Sequence, residues 1–266
     1  MGATISFIGT GNMGAALIKG LARMDGVKLA GFDLDRDKLN VLCVECSLTA
    51  VSSIHEAVAM ADYVVMCVKP QQMKAVLADV HPALAPGKCL ISIAAGVSQA
   101  QLAEWTGHVC PVVRVMPNTP ALVAKGVSAV CLDDPHLSQE QKGMVQDIFS
   151  SIGSVHVLEE KGFDAFTAVA GSGPAYVFYF MEAVIEAAVH AGLPRPQATK
   201  IVEDLFEGSL ALAKQSLTHV SLLREMVTSP AGTTIAALTH MDRQAVRASI
   251  IDAVLAAKKR SEELGN

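Results

Sequence analysis

At 266 residues the chain has room for one or two domains, and its 51% hydrophobic content is more than a small core can absorb. Its formal charge of −5, with no basic run, argues against nucleic acid as a partner, and the apolar excess points to a subunit interface. The six cysteines (Cys43, Cys46, Cys67, Cys89, Cys110 and Cys131) lie mostly inside apolar runs and read as reduced thiols of a cytoplasmic protein. Cys43 and Cys46 form a C-x-x-C, but no second pair or nearby histidine completes a metal site, so no metal is expected. No signal-peptide pattern precedes the first strand.

Residues 5–8 form a short apolar strand, and residues 15–21 continue as a helix. Between them Gly9, Gly11 and Gly14 give G-x-G-x-x-G. Strand, glycine loop and helix together are the context in which this motif binds a dinucleotide. The first glycine permits the turn, the second lets backbone approach a pyrophosphate, and the third lets helix pack on strand. Ile8, Gly9, Thr10, Gly11, Asn12, Met13 and Gly14 are therefore candidate cofactor contacts, with the phosphates on the amides of the helix start. A second strand, residues 28–32, ends at Asp33, where a ribose 2′-hydroxyl would be held. Arg36 follows closely and could instead meet a 2′-phosphate, which leaves NAD and NADP both open.

Further apolar strands at 63–68, 90–95 and 112–116 alternate with helical patterns at 55–61, 71–79 and 99–105. This alternation predicts an α/β fold built on a doubly wound parallel sheet. Ligands of such sheets sit at the strand C-terminal ends. That places Cys67, Val68, Lys69 and Pro70, then Ala94, Ala95 and Gly96, then Asn118 at the cofactor site. Lys69 either neutralises charge there or only shapes its loop. Residues 126–132 and 154–158 read as two more strands around a helix at 138–150.

Past Gly162 the pattern turns helical. Residues 175–191 form the longest apolar run, with Glu182, Glu186 and His190 as a polar stripe that a lipid-facing helix would not carry. No membrane is expected, and the helix reads as shared with a second subunit. The stripe reads first as a solvated or interface edge, with catalysis by its carboxylates the lesser alternative. In Thr228–Thr234 (TSPAGTT), Ser229 suits an N-cap and Pro230 the first helical position, which leaves amides near Gly232 to Thr234 free for an anion. An ordinary capped helix start is the alternative.

Taken together, these motifs resemble the pyrroline-5-carboxylate reductases. The resemblance rests on the FIGTGNMG opening, Val68-Lys69-Pro70, Ala94-Ala95-Gly96-Val97, Arg114-Val115-Met116-Pro117-Asn118-Thr119-Pro120, Gly171-Ser172-Gly173-Pro174-Ala175-Tyr176 and the Thr228–Thr234 heptapeptide. It covers nearly the whole chain, although many members carry an Asn near position 54, where this chain has Ile54. The resemblance implies a dinucleotide-binding domain over 1–160 and a helical dimerisation and substrate-binding domain over 161–266. It implies a homodimer, often assembled into larger rings. The implied reaction is reduction of 1-pyrroline-5-carboxylate to proline, the last step of proline biosynthesis, with NADPH favoured over NADH. The substrate carboxylate would lie at Ser229, Gly232, Thr233 and Thr234, with Thr234 matching the substrate-contacting threonine. β-Hydroxyacid dehydrogenases share the architecture but place a catalytic lysine on the first long helix of the second domain. Here Gly173 is followed by Pro174, Ala175, Tyr176 and Val177. A non-catalytic dinucleotide sensor is the alternative from outside the enzymes.

Overall fold

The computed structural model describes residues 2–265. Its first part alternates β1 (Ala3–Ile8), α1 (Asn12–Leu21), β2 (Val27–Phe32), α2 (Arg36–Cys46), β3 (Thr49–Ala50), α3 (Ile54–Ala59), β4 (Tyr63–Met66), α4 (Pro70–Val80), β5 (Cys89–Ser92), α5 (Gln99–Trp105) and β6 (Val112–Met116). Then come β7 (Gly126–Cys131), α6 (Gln139–Ser150) and β8 (Gly153–Val157). The strands form one sheet in the order β3-β2-β1-β4-β5-β6-β7-β8. The reversal of strand order beside β1 makes the crevice between β1 and β4 the place for a ligand.

Period-two alternation explains why these strands read as unbroken apolar runs. Ile5 and Phe7 of β1, with Tyr63 and Val65 of β4, pack with α1, α2 and α6 on one face. Ile8, Val64 and Met66 pack with α3, α4 and α5 on the other. A sheet covered on both faces has no polar side to alternate with.

One expectation of the sequence reading is corrected. β7 pairs antiparallel to β6, and β8 then runs parallel to β7. The link between Met116 and Gly126 holds only a short 3₁₀ segment, Thr119–Val123. A parallel partner needs a crossover helix, and this link is too short for one, so the chain folds straight back.

After β8 the chain forms α7 (Phe163–Phe166), a π-helical turn (Thr167–Gly171), α8 (Gly173–His190), α9 (Arg195–Gln215), α10 (Val220–Met226), α11 (Thr233–Arg243) and α12 (Val246–Gly265). Two compact units result. One runs to Ser172 and takes up the chain again from Ala257; the other is Gly173–Ala256.

The helical unit has almost no core within one chain. Among its residues only Ala198 and Val202 are buried. Phe178 is 63% exposed and Tyr179 76%. By length and composition Glu160–His190 could also cross a bilayer, with 6% of its apolar window buried. Glu186 on α8 is held by the Arg195 guanidinium through two bonds of 2.7 and 3.0 Å, which gives this apolar helix a charged edge.

Candidate active site

The three glycines of the first loop do different work. Gly9 has φ +95, and a Cβ there would lie 2.9 Å from the Cys67 carbonyl oxygen. A Cβ on Gly14 would come within 2.6 Å of the Gly9 oxygen. Both are demanded by the fold itself, and Cys67 is the floor that crowds the first. Gly11 is different: it caps α1 at φ −60 with no side-chain cap, and a Cβ there would meet nothing within 4 Å. The amides of Asn12, Met13 and Gly14 have no carbonyl to bond within the helix. Packing within the chain gives no reason for Gly11, and the backbone there is open to the close approach of a ligand. Gly11→Ala is expected to leave the melting temperature unchanged and to weaken dinucleotide binding about tenfold or more, as read by titration with NADPH. Equal affinity in the variant would separate this loop from the phosphates.

Asp33 holds the loop from the side. Its Oδ2 accepts from the Thr10 amide at 2.5 Å and the Thr10 hydroxyl at 2.8 Å, and its Oδ1 accepts from the Asp35 amide at 2.9 Å. Burial pushes its carboxyl up, but the bonds from Asp35 and Thr10 outweigh this and hold it below the usual carboxylate range. The carboxylate thus stays ionised and both oxygens are engaged inside the protein. Arg36 is exposed, donates to the Val51 and Ser52 carbonyls at 3.0 and 3.4 Å, and lies 5.5 Å from the Phe32 ring centroid. Its cation is oriented at the end of β2 rather than free to wander.

The other loops reach the same end of the sheet. Val68 packs on the core, and Lys69 is exposed at the N-cap of α4, with Pro70 in the first turn. After β5, the buried Ala94 has its amide tied to Ser92 Oγ at 3.3 Å, Ala95 is exposed, and Gly96 turns left-handed at φ +74. Asn118 is buried. It donates to the Ala170 carbonyl at 2.9 Å and accepts from the Val127 amide at 2.8 Å, clasping β7 and the π turn to the end of β6. Sequence reading missed a second cluster here. Glu160 Oε1 accepts from the Gln99 amide at 2.7 Å and from Arg114 at 3.0 Å, with Arg114 lying 4.7 Å from the Phe163 ring centroid. No local signal could have paired residues so far apart in the chain.

In the helical unit, α11 starts at Thr233 with Gly232 as N-cap, so Ser229 and Pro230 are not the cap and first turn that the sequence suggested. Ala231 takes φ +55, and the Gly232 amide bonds back to the Ser229 carbonyl at 3.2 Å. This left-handed residue makes a tight turn that delays the helix. Nothing in an alanine announces it. Gly232 supplies no side-chain cap, so the amides of Thr233, Thr234 and Ile235 head the helix unbonded by it. Ser229 and Thr233 are exposed and Thr234 is half-buried. A row of amides with a hydroxyl beside it suits a carboxylate with a polar group a few ångströms away.

Residues 160–264 match the pyrroline-5-carboxylate reductase dimerisation family, and residues 4–96 match the NADP oxidoreductase coenzyme F420-dependent family. A pyrroline-5-carboxylate reductase of Pseudomonas aeruginosa is 41% identical over 264 residues, covering 98% of this chain and 96% of that one. The chain belongs to the pyrroline-5-carboxylate reductase family. Among solved structures, the pyrroline-5-carboxylate reductase of Coxiella burnetii is 32% identical, with a TM-score of 0.91 and full coverage of both chains. The pyrroline carboxylate reductase of Plasmodium falciparum, solved with NADP bound, is 33% identical with a TM-score of 0.87, covering 99% of this chain and 98% of that one. Both reductases thus share the fold of this chain along nearly its whole length.

Proposed function

We propose that this chain reduces 1-pyrroline-5-carboxylate to L-proline, the closing step of proline biosynthesis, with NADPH as the preferred reductant and NADH as a weaker one. The uncapped start of α11 carries this reading: it offers a small anion fixed amides, with the Thr234 hydroxyl next in line. The glycine loop fits a dinucleotide: of its three glycines, Gly11 is the one with open space above it. Bound NADPH supplies the hydride. The protein holds the cofactor's phosphates on the α1 amides and shapes the nicotinamide pocket with Val68, Pro70, Ala94, Ala95, Gly96 and the loop clasped by Asn118. In the helical unit, the amides of Thr233, Thr234 and Ile235 at the start of α11 are assigned to the substrate carboxylate.

The chemistry needs no strong protein acid. A cyclic imine is protonated before reduction, so hydride adds to its iminium carbon, the C=N π pair becomes the nitrogen lone pair, and a secondary amine results. The protein's task is orientation and exclusion of water, with Thr234 holding the ring nitrogen. Oxidation of NADPH followed by absorbance with pyrroline-5-carboxylate tests the whole reading; a purified, folded protein that leaves the absorbance flat overturns it.

Arg36 supports NADPH as the cofactor. Its exposed cation at the end of β2 suits a 2′-phosphate, while Asp33 is occupied with Thr10 and Asp35. Arg36→Ala should weaken NADPH by about 1–3 kcal/mol, the range of a charge-assisted contact, and leave NADH unchanged. Equal losses with both cofactors would remove Arg36 from the phosphate.

Residues 1–160 are assigned to dinucleotide binding and 161–266 to dimerisation and substrate binding, with 161–172 and the end of α12 from Ala257 packing as part of the dinucleotide unit. Two copies form the working unit, and rings of such dimers extend it. Neither nucleic acid nor membrane is a partner, and the six free cysteines suit a reducing cytoplasm.

A further inference from the structure

The end of α12 returns to the dinucleotide unit and lies against the loop that follows β5. Gly96 sits there in the left-handed region, and a Cβ on it would lie 3.3 Å from the Leu264 carbonyl oxygen. A Cβ on Gly265 would lie 3.9 Å from the Gly96 oxygen. The two backbones are therefore in contact. One turn earlier on α12, the half-buried Ser261 hydroxyl donates to Asp164 Oδ1 at 2.7 Å. Asp164 lies one helical turn beyond Glu160, the carboxylate that receives the Gln99 amide and Arg114. One short segment, residues 160–164, thus grips both the α5 start, three residues past Gly96, and the α12 end that abuts Gly96. Beside this junction opens a cavity of about 520 Å³ whose lining includes Pro70, Ala95, Gly96, Thr167, Arg260 and Leu264.

We propose that the C-terminal turn of α12, pinned by the Ser261–Asp164 bond, is a positioning element for the Ala95–Gly96 segment and through it for the nicotinamide ring. Ser261 acts through Gly96 and does not itself touch cofactor or substrate. The proposal rests on the reading above that Ala95 and Gly96 face the nicotinamide. Anchors at the pyrophosphate and Arg36 lie elsewhere in the cradle, so loosening this turn should spare cofactor affinity and harm the chemical step. Small displacements of reacting groups carry large rate penalties.

Two variants of the full chain test it. In Ser261→Ala, backbone amide hydrogen exchange over residues 94–98 of the cofactor-free protein should speed up roughly three- to thirtyfold, with exchange in β1 and β4 unchanged. With NADPH and pyrroline-5-carboxylate, kcat should fall by a similar factor while the NADPH dissociation constant stays within about twofold. Ser261→Thr keeps the hydroxyl and should recover both. Unchanged exchange at 94–98 in Ser261→Ala overturns the proposal. So does an unchanged kcat, or a Thr variant no better than Ala. A wild-type protein that does not reduce pyrroline-5-carboxylate would overturn the functional reading alone; the exchange comparison would still decide whether the α12 end holds Gly96.

Discussion

Thr234→Ala is expected to lower turnover by roughly 10- to 1,000-fold while folding and NADPH binding stay intact. The range is that of one oriented hydrogen bond lost from a water-poor site. In the proposed complex the substrate has two ends. Its carboxylate is met by backbone amides at the start of α11, which a side-chain truncation leaves in place. Its ring nitrogen is met by the Thr234 hydroxyl, which the truncation removes. The loss should therefore appear in kcat more than in KM. Thr234 is the second residue of α11, which begins at Thr233 behind the N-cap Gly232, so its hydroxyl is not committed to capping. Gly232 is a poorer probe of the same site. A Cβ there would crowd the Ser229 hydroxyl and lie 3.2 Å from the Ser229 carbonyl oxygen, so a substitution presses on the turn as well as on the anion. Unchanged turnover in Thr234→Ala would make the hydroxyl structural and leave orientation to the helix end alone.

Phe178→Glu is expected to abolish stable dimers at micromolar concentration and, with them, most of the activity. Phe178 is 63% exposed within one chain, and so the new carboxylate would stay hydrated and cost little there. The cost arises only when a second copy covers the position. Then an unpaired charge is driven into an apolar contact, which weakens association by roughly a hundredfold or more. Sedimentation velocity of wild type and variant side by side reads the difference. A variant that dimerises as tightly as wild type would put Phe178 outside the interface. A well-folded, active wild-type monomer would overturn the obligate dimer altogether.

The parts of this molecule visible in its sequence are those set by local rules. Apolar runs four to six residues long marked most of the sheet, because both its faces are covered and few strand positions, such as Ser6, Ser92 and Ser128, are polar. The glycine loop was legible because Gly9 takes a left-handed turn at φ +95 and Gly14 lies against the Gly9 oxygen five residues back. What escaped was decided at a distance. The direction of β7 follows from the length of one link rather than from the strand's own residues. Asp33 and Asn118 carry side chains suited to a ligand, yet both spend polar atoms on neighbouring backbone amides and carbonyls. Composition does not reveal which partner a carboxylate or an amide will find. The start of α11 moved past Ser229 because Ala231 adopts a conformation that its side chain does not favour.

The route of the chain also decides how its gene could be divided. The helical unit is an insertion: the polypeptide leaves the dinucleotide unit after Ser172 and re-enters it at Ala257. A stop codon at the first crossing would thus yield an unfinished nucleotide-binding domain, missing the segment that lies on Gly96. Excision of residues 173–256 with a short splice, or a circular permutant with its new termini in that stretch, would keep the domain whole.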